Sequence, residues 1–406
     1  MDITAMTEQE LEALCISWRR WFHAHPEVSL HEQHTAEKIY GILEELGLHP
    51  VRGQGHYGLA ATIEGGQPGG MVALRADMDA LSVTEETGLP FASENPGVMH
   101  ACGHDTHMTI LLETILRLLQ RRQEIKGRVR LLFQPSEELS PHGGAPFMMK
   151  DGFLDGVQGV FGLHVWPNIP LGKIGIKPGA LMAASDRLKI EILGRSAHAG
   201  HPQEGIDAIM AAVNFLQQLN QIISRRISPL STATINIGTF QGGERYNVVP
   251  GKVTLEGTVR NLDEDNRIHI KEFIGNLLEG LKVSTGIDYT YDYQFGHPVV
   301  MNWPVPTALV QKTATRVLGQ DGLMPHISPD LIAEDFGKYL KKYPGAFLWL
   351  GCRAAGTPFY GLHNAKFCPD ESVLVIGSRL MSQVAIDALE ALAQGTDFSA
   401  EEAKEG

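Results

Sequence analysis

Cysteine is scarce in this chain, with four residues at positions 15, 102, 352 and 368 among 406. They are too few and too scattered for a disulfide framework. Such usage points to a reducing cytoplasm. No apolar run reaches membrane-spanning length. The first dozen residues are polar and acid-rich, unlike a signal peptide. Positive charge is in deficit: 34 Lys and Arg stand against 47 Asp and Glu, for a net charge of −13. With no basic cluster either, nucleic acid is not an expected partner. Internal repeats and low-complexity segments are missing too. What remains is an ordinary soluble composition, 43% hydrophobic and 20% charged. The chain is longer than one core usually holds, so two domains are expected.

Several stretches carry clear periodicity. Thr7-Glu8-Gln9-Glu10 reads as a capping box, and apolar residues then recur at helical spacing from Leu11 to Phe22. A second helix is expected over roughly Thr35–Leu46, stopped at Gly47. Leu59–Ile63 and Val72–Arg75 read as strands around the turn Gly65–Gly70, the second running out at Asp77-Met78-Asp79. Met108–Leu119 is helical, Val129–Phe133 is a buried strand that delivers Glu137-Glu138, and Gly159–Val165 is a strand that carries His164. Alternating strands and helices suggest an α/β fold with a mostly parallel sheet flanked by helices. In such sheets sites collect at the strand carboxyl ends. Asp77, Asp79, Glu137, Glu138 and His164 all fall at or near such ends.

The pattern changes near residue 185. Strand, helix, strand, strand, helix, strand follow in order from Arg187 to Gln294, the order of a ferredoxin-like α+β unit. It reads as an insertion: residues 1–184 and 296–406 form one domain and 185–295 the other. Ala346–Leu350 resumes as a buried strand, and Glu371–Leu392 as a closing helix. The acidic tail after Gln394 is expected to fray.

The chemistry concentrates in His100-Ala101-Cys102-Gly103-His104-Asp105-Thr106-His107, which packs one thiol, three imidazoles and a carboxylate into eight residues. Cys, His and carboxylate groups form the set that binds Zn²⁺, Mn²⁺ or Co²⁺. Alone, the cluster supplies at most half a metal site, and a His-rich surface loop would look the same. Glu137 and Glu138 are adjacent at a strand end, where neighbouring side chains point in different directions. One can hold a metal while the other acts as a base. His164 in a strand is also compatible with a satisfied core histidine, and His363 lies in a glycine-flanked loop. His100 and His107 read as structural support, and Asp105 as a group that could orient a ligand imidazole.

Taken in order, these residues resemble the M20 metallopeptidase and amidohydrolase family, in its aminoacylase, hippurate and indole-acetyl-amino-acid hydrolase branch. The motifs are Arg75-Ala76-Asp77-Met78-Asp79-Ala80-Leu81, His100–His107, Gln134-Pro135-Ser136-Glu137-Glu138, Gly162-Leu163-His164, Ser196-Ala197-His198-Ala199-Gly200, Asn247-Val248-Val249-Pro250, Glu334-Asp335-Phe336 and Leu362-His363. The resemblance covers nearly the whole chain. It implies two divalent metal ions, Mn²⁺ or Zn²⁺ with Co²⁺ or Ni²⁺ as other fits, held by Cys102, His104, Glu138, His164 and His363. It implies Glu137 as general base and acid, with Asp79 in support. It also implies that the inserted domain makes a homodimer and that His198 serves the partner's active site. Asn247 and Arg260 match positions that hold substrate polar groups and carboxylate. Ser82 and Ser136 depart from the residues common in the family, Pro and Ala.

The expected activity is hydrolysis of the amide bond of small N-acyl-L-amino acids. Alternatives in the same family are deacetylation of N-acetyldiaminopimelate and cleavage of dipeptides. From another class, a non-catalytic metal- or ligand-binding protein remains open, though Glu137 in place of Gln or Ala speaks against it.

Overall fold

The computed structural model describes residues 6–400. It divides into two compact units. One comprises the described residues up to Leu181, Met301–Ser328, and those from Asp335 on. The other comprises Met182–Val300 and Pro329–Glu334. By sequence, 329–334 went with the flanking segments. Instead the Ala183 amide donates to the Asp330 and Ile332 carbonyls, which ties that segment to the inserted unit.

The first unit is built on a seven-stranded sheet. Its order is Val51–Arg52, Leu59–Glu64, Lys126–Gln134, Gln67–Asp77, Gly159–Pro170, Gly345–Arg353 and Ile174–Gly175. The four strands from Lys126–Gln134 to Gly345–Arg353 run parallel. Leu59–Glu64 and Ile174–Gly175 flank them antiparallel, and Val51–Arg52 is in turn antiparallel to Leu59–Glu64. Successive side chains on a strand face opposite sides. Nine consecutive residues of Gly159–Pro170 and eight of Gly345–Arg353 are buried, so both faces are covered there. The helices His104–Gln120 and Val373–Ala393 pack on each other and on Gln67–Asp77. The first helix, Glu8–Ala24, starts with the expected capping box, Thr7 with Glu10. Just past Gln394, where fraying is expected, Phe398 is instead buried in the core beside Phe161; the acidic end of the tail, 401–406, lies outside the described residues.

The second unit is a four-stranded antiparallel sheet in the order Ala233–Gly242, Lys252–Asn261, Ala184–Leu193, Asp288–His297. This is the ferredoxin-like arrangement, with Ala208–Arg226 and Glu264–Thr285 as its helices. Along Ala184–Leu193 burial alternates, because only one face packs on the helices. The short strands Gly179–Met182 and Val300–Asn302, where the chain enters and leaves this unit, pair with each other. Among the described residues no helix is long and apolar enough to cross a membrane.

Candidate metal centre

In the first unit, four separate segments bring their polar side chains to one place. Gly103, with φ of 90°, turns the chain into the helix His104–Gln120, leaving Cys102 just before its start and His104 as its first residue. Gly159–Pro170 carries His164 two residues past Gly162, the last position at which it pairs with Gln67–Asp77. The loop after Lys126–Gln134 carries Glu137 and Glu138. The fourth segment carries His363, whose amide donates to the Ala101 carbonyl at 2.8 Å. Ligand atoms of Cys102, His104 and His164 all lie within 4.8 Å of one another. The same holds for Cys102, Glu138 and His363, and for His104, Glu137 and Glu138. Cys102 Sγ is 3.3 Å from His164 Nε2, and His363 Nε2 is 3.3 Å from Glu138 Oε1.

Hydrogen bonds on the far side of each ring decide what the near side can do. His104 Nδ1 donates to the Asp79 carbonyl at 2.7 Å, and His164 Nδ1 to the Val165 carbonyl at 2.8 Å. With the proton on Nδ1, the neutral ring presents an Nε2 lone pair, the form a metal takes. His104 Nε2 and Glu138 Oε1 are buried and have no hydrogen-bond partner. Native interiors seldom leave such atoms unsatisfied, and a cation is one remedy. His107 differs. Its Nδ1 donates to Asp77 Oδ1 at 2.7 Å and its Nε2 accepts the Val165 amide at 2.9 Å, so it has nothing left to offer a metal.

The electrostatics agree. Burial opposes a cationic His104, yet Asp77 and Asp79 overcome that and raise it to about 10. Burial and the Glu138 and Glu137 carboxylates push the Cys102 thiol well above its usual range. The site therefore favours added positive charge, and a thiolate there needs a cation beside it. Soft thiolate, imidazole and carboxylate together form a donor set for a divalent transition ion.

Asp77 is fixed from behind. Arg75 donates to it at 2.6 Å, to Asp335 at 2.8 Å and to Gln134 at 2.9 Å. Burial would raise Asp77, but His104, Arg75 and His107 outweigh it and hold the carboxyl well below the usual range. Asp79 does not face the cluster as a ligand. Its two oxygens accept the backbone amides of Glu137 and Glu138, each at 2.9 Å, and the Ser29 hydroxyl donates to it at 2.6 Å.

Asp105 was expected to orient a ligand imidazole, and it does not. It is buried against Arg19 at 3.0 Å and His23 at 2.8 Å, a partnership invisible in sequence because both lie over 80 residues upstream. Ser29, Leu30 and Glu32, unremarked in the sequence, contact Asp79 or Ser136.

His198, Asn247 and Arg260 lie in the second unit. His198 is exposed, pairs with Val248, and accepts the Gly200 amide on Nδ1 at 3.0 Å, which leaves the neutral ring's proton on Nε2. Asn247 Oδ1 is buried without a hydrogen-bond partner. Arg260 lies on a different strand, opposite Ser185, and makes no ion pair among the described residues. Burial lowers its pKa.

The chain matches the model of peptidase family M20/M25/M40 over residues 73–387. It is 38% identical to an N-acetylcysteine deacetylase of Bacillus subtilis (strain 168), over 95% of this chain and all of that protein. It is 41% identical to an N-acyl-L-amino acid amidohydrolase of Geobacillus stearothermophilus, over 73% of this chain and 82% of that one. Among solved structures, it resembles the YXEP protein of Bacillus subtilis, described as a dinuclear metal-binding peptidase of family M20. That match has a TM-score of 0.83 at 34% identity, covering 94% of this chain and 99% of the other. Ordered motifs, sheet topology, clustered ligand atoms and these likenesses agree: the chain belongs to peptidase family M20/M25/M40.

Proposed function

We propose that this protein hydrolyses the amide bond of small N-acyl amino acids, giving a carboxylic acid and an amino acid. The observation that carries the reading is the convergence of thiol, imidazole and carboxylate ligand atoms from four segments, two of those atoms buried without a hydrogen bond. The names of the relatives, an N-acetylcysteine deacetylase and an N-acyl-L-amino acid amidohydrolase, support the substrate class. Cys102, His104, Glu138, His164 and His363 would hold two divalent ions, Mn²⁺ or Zn²⁺. Bound there, such ions supply Lewis acidity, which makes water acidic and polarises a carbonyl.

The rest is the work of side chains. Glu137 takes a proton from the water whose oxygen attacks the amide carbon. As the C–N bond breaks, Glu137 returns that proton to the leaving amine. Asp79 keeps Glu137 in place through its amide. On the same reading the protein is a homodimer through its inserted unit, and His198 acts on substrate bound by the partner subunit, its Nε2–H stabilising the oxyanion. Arg260 would grip the free carboxylate in fork geometry, and Asn247 a polar group of the substrate. The unpaired Arg260 and the unsatisfied Asn247 oxygen support those roles.

The test is a substrate panel with metal analysis. N-acetyl, N-benzoyl and N-indoleacetyl amino acids, N-acetyldiaminopimelate and dipeptides are assayed before and after chelation. At least one N-acyl amino acid should turn over, activity should vanish on chelation, and Mn²⁺ or Zn²⁺ should restore it. Full activity in metal-free protein sinks the reading. For His198, mixing Glu137→Ala and His198→Ala subunits should recover activity in about a quarter of the sites if the residue acts across a two-fold dimer. No recovery, with mixed dimers seen by native mass spectrometry, removes that role.

A further inference from the structure

We propose that Glu32 is a positioning residue for the Glu137–Glu138 pair: it holds Ser136 in the left-handed conformation that sets the direction of both carboxylates. The inference rests on the roles given above to those two residues.

Ser136 has φ of 59°, a region that non-glycine residues enter only when their surroundings hold them there. It is the hinge between the strand Lys126–Gln134 and the glutamate pair. Three consecutive amides, that of the hinge and the next two, each donate to a buried carboxylate. Ser136 N–H reaches Glu32 Oε1 at 2.7 Å. Glu137 N–H reaches Asp79 Oδ1 and Glu138 N–H reaches Asp79 Oδ2, both at 2.9 Å. The Ser136 hydroxyl donates to the same Glu32 oxygen at 2.9 Å, while its Oγ accepts the Leu30 amide at 3.0 Å. Leu30 is itself left-handed, with φ of 67°. Ser29 completes the brace through Asp79. A short stretch before the helix Gln33–Glu45 thus grips the hinge from one side while Asp79 grips the next two amides from the other.

This arrangement is costly to the fold. Glu32 is fully buried, and its second oxygen, Oε2, has no hydrogen-bond partner. Burial and the nearby Asp79 charge push its carboxyl up to about 7. A buried acid with a like charge beside it and one oxygen unsatisfied is poor use of a core position. Such a group makes sense where its other oxygen serves a geometry the reaction needs.

The experiment combines Zn²⁺ titration against a chelating dye with kcat and KM at saturating metal. Glu32→Ala removes the acceptor. Its Zn²⁺ dissociation constant should rise about tenfold or more, and kcat should fall roughly 10–100-fold, with KM within threefold. Glu32→Gln keeps an oxygen at the same reach and should stay within about threefold of wild type in both. Adding Ser136→Gly to Glu32→Ala should recover much of the loss, because glycine adopts positive φ without being held. A residue that merely stabilised the fold would show none of that rescue. The proposal is overturned if Glu32→Ala, melting as a folded protein, binds Zn²⁺ and turns over like wild type. It is equally overturned if Glu32→Gln is as impaired as Glu32→Ala. Should Glu32→Ala not fold, Glu32→Asp decides, since it keeps the charge but draws the acceptor back: wild-type behaviour rejects the proposal, and weakened metal binding with lowered kcat supports it. A wild-type protein that binds no metal or cleaves no amide would instead overturn the functional reading on which all this stands.

Discussion

Asp77 in the sheet unit and Asp186 in the inserted unit are each buried against an arginine, and their networks end differently. Asp186, in the inserted unit, takes Arg267 Nε on both oxygens at 2.8 and 2.9 Å, the Tyr293 hydroxyl at 2.8 Å and the Gly296 amide at 3.0 Å. Arg267 also donates to the Gly296 carbonyl, so the group closes on itself. Asp77, in the sheet unit, takes Arg75 and His107 but also faces His104, whose outer nitrogen has no hydrogen-bond partner. A closed buried network fixes a fold, and one with an atom left over prepares a site. Burial and charge alone would rate the two alike. Only the satisfaction of each polar atom tells them apart.

The contrast can be broken at four points. The largest effect belongs to Glu137→Gln, which should lose turnover by roughly 10²–10⁴-fold. Metal content, read by mass spectrometry, should not change. Glu138→Gln should behave the other way and lose metal first. Reversed behaviour would exchange the two roles.

Arg267→Ala comes next. It leaves Asp186 buried without its cation, which costs about 3–5 kcal/mol. Urea denaturation should show that loss, while metal bound per folded chain stays the same. A mild phenotype would mean that the closed network is dispensable.

Glu32 supplies a pH test in metal-free protein. Burial and Asp79 raise it from 4.5 to about 7 in the folded chain. The folded state therefore holds its proton more tightly than the unfolded state does between those values. Stability from this group is present at low pH and is lost as pH rises towards 7. Relative to Glu32→Gln, wild type should gain up to about 3 kcal/mol as pH falls through that window. A difference that does not vary with pH would show that Glu32 is already ionised when folded.

The smallest effect is expected for Asp77→Asn. It should weaken metal binding roughly 10–100-fold, as loss of a group behind a ligand does. Stability should change less than for Arg267→Ala. If instead Asp77→Asn costs stability and leaves metal affinity alone, the distinction between the networks collapses.

The sequence made some of this legible and hid the rest for physical reasons. Cys102 and His104 declare themselves because unusual ligand types sit two apart before an apolar helix. The strands that carry Asp77, Glu137 and His164 show in their apolar runs, because a sheet covered on both faces has little polar alternation. The brace from Ser29, Leu30 and Glu32 gives no such sign. Its contacts span 50 to 106 residues, and its members look like polar loop between two helices. Asp105 misled for the complementary reason, being near the candidate ligands in sequence while its partners come from the first helix. Phe398, a lone aromatic in an acidic tail, carries no periodicity that could announce its burial.

The parallel pairing of Gly159–Pro170 with Gly345–Arg353 aligns Val160 with Gly345, and the whole of Met182–Val300 lies between them in sequence. Closing so long a loop before any contact rewards it slows folding. The inserted unit offers a way round. Its strands are all antiparallel, it has its own core, and the short strands at its two ends pair with each other. If it folds first, the loop that the central sheet must close shrinks by well over half, a saving of about 1 kcal/mol in closure entropy and roughly a fivefold gain in rate. An excursion that doubles the complexity of the chain on paper thus becomes, in time, the step that shortens the search for its middle.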